Sequence, residues 1–182
     1  MNINLHDYIQ LVFDFDGVFT NNKLSVDQNG IEHISVSRSD GYAIELLKKA
    51  RLKALHNLEI FVLSTETNPV VKFRCEKMKL DCISGIPNKL EYLTSRISLQ
   101  GFDVDEGFKR TIYLGNDLND LSVMRKAGLS IAPANAHPKV KEISSFVSKN
   151  NGGQDFVREI VELMLGFGRM SVEEIDDFVS NS

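Results

Sequence analysis

The sequence is poor in the features that mark several whole classes of protein. It has two cysteines in 182 residues, Cys75 and Cys82, and they do not form a Cys-x-x-Cys pair. A disulfide-built scaffold is thereby excluded, and both thiols are expected to be free and largely buried. The four histidines, His6, His33, His56 and His137, are scattered, with no pair at zinc-ligand spacing. Positive charge is not in excess: 21 Lys and Arg face 25 Asp and Glu, for a net charge of −4. A nucleic-acid binder would carry a basic stripe, so no nucleic-acid partner is expected. No run approaches the roughly 18 apolar residues of a membrane span. The polar start MNINLHDY does not read as a signal peptide. No membrane partner is expected, and the expected location is the cytoplasm.

What remains is ordinary for a soluble globule, with 42% apolar and 25% charged residues. The length suits one domain over residues 1–182, able to bury close to 70% of its unfolded surface without a staple. Short apolar runs alternate with helical patterns. YIQLVFDF (8–15), EIFVLS (59–64), the residues around Cys82 and Ile83, RTIYLG (110–115), GLSIA (128–132) and SSFVS (144–148) read as strands. GYAIELLKKARL (41–52), PVVKFRCEKMK (69–79), residues 88–99, DLSVMRKA (120–127) and GQDFVREIVELML (153–165) read as helices. Strands separated by helices predict an α/β fold, a Rossmann-like three-layer sandwich with a mostly parallel sheet. One segment departs from this alternation: residues 20–39 hold two strand-like runs around Asp27-Gln28-Asn29-Gly30, which predicts a projecting β-hairpin. A short tail runs from 168 to 182.

In an open parallel sheet, ligands bind beyond the carboxyl ends of the strands. Those ends carry DFDGVFT (14–20), Ser64-Thr65-Glu66 and GNDLND (115–120), and Lys89 opens the helix after the third strand. So many carboxylates at one edge repel one another unless a cation lies among them, and Mg²⁺ on oxygen ligands and a phosphate is such a cation. Asp14 and Asp16, two apart, share a face if the strand continues extended. One can attack phosphorus and the other can move the proton. Ser64 can hydrogen-bond the transferred oxygens, and Lys89 can balance their charge.

These residues, DxDGxxT, the strand-end Ser, the later Lys and the G-N-D-x-x-D loop, resemble the four motifs of the haloacid dehalogenase superfamily, over roughly residues 10–165. The hairpin followed by SDGYAIELL, then PNKL, ANAHP (134–138) and NGGQDFVREI (151–160), is similar to a small branch without a separate cap domain. That branch includes octulosonate 8-phosphate phosphatases, nonulosonate (sialic acid-type) 9-phosphate phosphatases, and the C-terminal module of acylneuraminate cytidylyltransferases. The resemblance implies an Mg²⁺-dependent phosphomonoesterase acting on a phosphorylated keto-sugar acid. It also implies a homotetramer joined through the hairpin, with a neighbouring subunit helping to close each site. It assigns Asp14 as nucleophile and metal ligand, and Asp16 as acid/base and carbonyl ligand of the metal. Ser64 and Lys89 become phosphate ligands, and Asp40, Gly41 and Arg74 substrate contacts.

This sequence departs from the pattern at three points. The metal-binding Asp of the acidic loop is Asn116 here, leaving Asn116 and Asp117 as alternatives for the third ligand and Asp120 as their partner. Two positions that are arginine in the octulosonate phosphatases are Glu45 and Glu66. A glutamate repels a sugar carboxylate that an arginine would clamp, so Glu66 suits a site reading hydroxyls or an amide. Asn116 also keeps open a different class: a catalytically weak, tetramerising partner of a cytidylyltransferase. A phospho-accepting receiver uses similar groups, but its Asp lies near mid-chain.

Overall fold

The computed structural model describes residues 3–180 apart from His56, so the reading of that histidine lies outside the described residues, as do Met1, Asn2, Asn181 and Ser182. Six strands form one parallel sheet: β1 (Gln10–Phe13), β4 (Glu59–Leu63), β5 (Asp81–Ile83), β6 (Thr111–Leu114), β7 (Leu129–Ala132) and β8 (Phe146–Val147). Their order is β5-β4-β1-β6-β7-β8. β1 is central, and its alternation explains why its sequence shows no polar face. Leu11 and Phe13 enter one apolar layer while Val12 enters the other, all essentially without exposure. Gln10, buried in the same strand, donates its side-chain N–H to Thr111 Oγ1 at 2.8 Å.

The first layer is built by α1 (Arg38–Ala54), α2 (Pro69–Lys77) and α7 (Phe156–Leu165), through Ile44, Leu47, Val71, Cys75, Val157 and Ile160. The second is built by α3 (Lys89–Leu99), α4 (Val104–Lys109), α5 (Leu121–Met124) and α6 (Pro138–Ile143), through Leu93, Phe108, Val123 and Val140. This is the three-layer α/β arrangement anticipated from the alternation of strands and helices. The hairpin stands apart as its own two-stranded antiparallel sheet, β2 (Thr20–Val26) and β3 (Glu32–Val36). Asp27 Oδ1 accepts the Asn29 and Ile31 amides at 2.8 and 2.9 Å and so shapes its turn. Among the described residues, no helix is long and apolar enough to cross a membrane.

Three helices were not anticipated. α4 and α6 have six residues each, too short for an apolar period to declare itself. The tail carries α8 (Val172–Ser180), where Ser171 and Glu174 cap reciprocally: the Glu174 amide donates to Ser171 Oγ and the Ser171 amide to Glu174 Oε2. The helix expected over 120–127 is shorter, a 3₁₀ turn at Leu118–Asp120 followed by the single turn of α5.

Asp40, expected to contact substrate, is instead 1% exposed in the packed layer. Its Oδ1 accepts the Arg158 amide at 2.9 Å, and Asp155, the residue before α7, makes no side-chain cap of its own. Asp40 therefore caps α7 from α1, across the layer. Burial pushes its carboxyl up to about 6 from 3.8. The folded state thus holds a proton that the unfolded state has released, and the stability this confers is complete below about pH 4 and lost as pH rises through about 6. The ceiling on the effect is about 3 kcal/mol. Asp40→Asn keeps the acceptor and cannot ionise. Relative to wild type it should gain about 2–3 kcal/mol between about pH 4 and 7 in denaturant unfolding; a constant difference would contradict this.

Candidate active site

β1 lies where the sheet's connections diverge to either side, the crevice in which such sheets take ligands. The Asp14 amide still donates to Leu114 O at 2.8 Å, and beyond it the chain leaves the sheet. Gly17, at φ 79°, makes the turn, and a Cβ there would lie 1.9 Å from Asn116 Nδ2. Only glycine lets the acidic loop close against the DxDG loop.

Beneath this contact lies a buried charged network. Lys89 Nζ bonds Asp14 Oδ1 and Asp120 Oδ1, each at 2.8 Å, and its side chain has no exposure. Asp14 Oδ1 also accepts the Phe15 amide at 2.7 Å, which leaves Oδ2 as its available oxygen. Asp120 is saturated: Oδ1 also accepts the Tyr113 hydroxyl at 2.7 Å, and Oδ2 accepts the Asn116 and Asp117 amides at 2.9 and 3.3 Å. One ammonium among these carboxylates leaves a net negative charge. Burial, then Asp120, pushes the Asp14 pKa above the ordinary carboxylate range, with Lys89 pulling against them. Burial alone would lower Lys89, but the paired carboxylates prevail and raise it. Tyr113, fully buried, is raised as well and stays a donor.

Asp16 is half-buried and is steered by Thr20, whose hydroxyl donates to Asp16 Oδ1 at 3.2 Å and accepts the Gly17 amide at 3.1 Å. Desolvation raises its pKa, and Glu66 and Glu32 add to the rise. That suits a group that must carry a proton. Ser64 Oγ accepts the Glu66 amide at 3.0 Å, which leaves its hydroxyl proton to give.

Asp14, Asp16, Ser64, Glu66, Asn116 and Asp117 line one cavity of about 470 Å³. Lys89 and Asp120 lie beneath it. Asp40, Gly41 and Arg74 do not line it. Gly41 and Arg74 instead adjoin each other, since a Gly41 Cβ would sit 2.6 Å from Arg74 Nη2. They open onto a second cavity of about 610 Å³ with Arg38, Lys48, Lys77 and Glu45. The hairpin contributes more than expected: Asn22, Lys23 and Glu32 form part of the first cavity's wall. Asn68 Nδ2 donates to Glu32 Oε2 at 2.6 Å and ties the hairpin to the start of α2. No sequence spacing signalled these residues, because they meet the motifs only through the fold.

A divalent cation fits this donor set. Asn116 Oδ1 is buried with no hydrogen-bond partner, and Asn116 lines the same cavity as Asp14 and Asp16, which together offer an all-oxygen set of the kind hard cations take. Among the described residues, no three His, Cys, Asp or Glu side chains form a metal-holding group by themselves, and the Asn116 amide oxygen is a further acceptor on the cavity that Asp14 and Asp16 line. Asp117 Oδ1 is occupied by the Leu118 amide at 2.7 Å, as the cap of the 3₁₀ turn.

Residues 88–158 match the model of the haloacid dehalogenase-like hydrolases. The 3-deoxy-D-manno-octulosonate 8-phosphate phosphatase of Salmonella typhi is 30% identical over 156 residues, 85% of this chain and 78% of that protein. The chain belongs to the haloacid dehalogenase superfamily. It is a phosphatase of that superfamily, in the branch of the octulosonate 8-phosphate phosphatases. Solved relatives agree in architecture. A structure from Streptomyces avermitilis, assigned to the HAD family of hydrolases, superposes with TM-score 0.83 at 34% identity, over 96% of this chain and 95% of that one. The cobalt-bound form of the octulosonate 8-phosphate phosphatase from Haemophilus influenzae superposes with TM-score 0.74 at 27% identity, over 89% and 90%.

Two outcomes test the geometry of this HAD phosphatase. Gly17→Ala should keep the fold, by circular dichroism, and lose at least about tenfold in phosphate release, because Asn116 must move; unchanged turnover would contradict the loop contact. Lys89→Met leaves Asp14 and Asp120 buried without their cation. It should cost about 3–5 kcal/mol in denaturant unfolding, and a loss below about 1 kcal/mol, the scale of a surface pair, would contradict the buried network.

Proposed function

We propose that this HAD phosphatase is an Mg²⁺-dependent phosphomonoesterase. Its substrate would be a phosphorylated keto-sugar acid, a nonulosonate 9-phosphate or an octulosonate 8-phosphate. The observation that carries this is the convergence of Asp14, Asp16, Ser64 and the unpartnered Asn116 oxygen on one cavity. Asp14 Oδ2 attacks phosphorus, the phosphorus–oxygen ester bond breaks, and Asp16 gives its proton to the leaving sugar oxygen. Asp16 then takes a proton from water as that water attacks the phosphorus, and Asp14 is released with inorganic phosphate. Ser64 orients the phosphoryl oxygens. Lys89 offsets their charge from below through its bond to Asp14. Asp14, Asp16 and Asn116 would hold the cation, which supplies Lewis-acid polarisation of the phosphoryl group when bound.

Glu66 lies at the cavity mouth with Oε1 engaged by the Thr67 and Asn68 amides at 2.7 and 2.8 Å. Its other oxygen is free to read a hydroxyl or amide of the sugar, which favours the nonulosonate. In support of a homotetramer, the hairpin exposes Leu24, Val26 and Ile31, each more than half accessible. The alternative, a weakly catalytic partner of a cytidylyltransferase, is favoured by Asn116, whose amide binds a cation without neutralising it.

Phosphate release from a panel of 8- and 9-phosphorylated keto-sugar acids, with and without Mg²⁺, separates the two. Magnesium-dependent turnover lost in Asp14→Asn is the expected result; a folded tetramer that turns over none of the panel supports the alternative. Glu66→Arg should shift preference toward the octulosonate at least about tenfold, the size of one charge-assisted contact; an unchanged ratio would remove Glu66 from selectivity.

A further inference from the structure

Of the donors on Asp120, three come from the motif residues Lys89, Asn116 and Asp117, and the fourth is the Tyr113 hydroxyl at 2.7 Å. Tyr113 lies within β6, its ring in the same apolar layer as Phe61, Leu93 and Val123, with no exposure. A phenylalanine would fill that space without bringing a polar group into it. The hydroxyl is therefore unnecessary for packing, and its bond runs to the underside of the active site.

We propose that Tyr113 is a positioning residue for phosphoryl transfer, fixing Asp120 so that Lys89 and the Asn116 loop are held at their places. This rests on the phosphatase reading of the site. Tyr113 and Lys89 share Oδ1 of Asp120, while Oδ2 takes the two loop amides. Without the hydroxyl, Oδ1 keeps only Lys89. The carboxylate is then free to turn toward the ammonium, drawing it from Asp14 and loosening Oδ2 on the loop. Ser64 and the hairpin wall have no bond to Tyr113, so their hold on the substrate stays as it is. The loss falls on the transition state.

The test compares wild type, Tyr113→Phe, Tyr113→Met, Asp120→Asn and the Tyr113→Phe/Asp120→Asn double variant. It reads steady-state kinetics with p-nitrophenyl phosphate and the sugar phosphates, and amide hydrogen exchange. Tyr113→Phe and Tyr113→Met should each lower kcat about tenfold with KM within twofold. Exchange at the Asn116 and Asp117 amides should rise about tenfold, while amides of β1 and β7 keep their protection. In the double variant the phenylalanine should add less than twofold to the loss from Asp120→Asn, because both act through one carboxylate. Unchanged kcat together with unchanged loop exchange would overturn the proposal. So would losses that multiply in the double variant, or unfolding of both Tyr113 variants, which would make the hydroxyl a stability element. If wild type turned over no phosphate ester, the phosphatase reading would fall, and the exchange measurement would still decide Tyr113.

Discussion

A single ammonium without solvent exposure holds this site together. Lys89 lies between Asp14 and Asp120 at equal distances, and each carboxylate organises a different part of the chemistry. Asp14 presents its remaining oxygen to the cavity. Asp120 gathers two backbone amides of the acidic loop and so sets where Asn116 stands. Burying such charges is costly, and here the cost is met by pairing and by saturating hydrogen bonds. The network still carries one negative charge too many. Burial first, and then the Asp120 charge, raise Asp14, and the residual charge makes a cation at the oxygen-rich wall electrostatically favourable.

The remaining architecture serves this placement. The parallel sheet brings the ends of β1, β4 and β6 together, Thr20 steers Asp16, and Gly17 yields the space that Asn116 occupies. The hairpin adds a wall to its own chain's cavity through Asn22, Lys23 and Glu32, tied down by Asn68. Shielding of the site is thus begun within the subunit. The same hairpin also exposes Leu24, Val26 and Ile31, the surface on which the proposed tetramer would join.

Much of this was legible in the sequence because it is local. Asp14, Asp16 and Gly17 are read from spacing within one strand end, and the α/β class from alternating apolar runs. The Asn116 substitution could be seen too, though not that its oxygen would be buried and unpartnered. Contacts between distant segments were invisible. Asp40 matched a substrate-contacting position, yet it caps a helix 118 residues further on. Tyr113 read as one more apolar strand residue, since nothing in the pattern of RTIYLG marks the direction of its hydroxyl. α4 and α6 were missed because six residues hold too little periodicity. Gly41, beside Asp40 on α1, and Arg74, on α2, matched such positions too but fold onto a separate, basic face.

In the proposed mechanism Asp14, held by Lys89 on one oxygen, uses the other as the nucleophile. Rapid acid quench of the enzyme turning over substrate labelled in its phosphoryl group, followed by peptide mapping, tests it most directly. Transient label is expected on the peptide containing Asp14, and none in Asp14→Asn. Label on another residue, or none at any quench time while phosphate is being released, would contradict it.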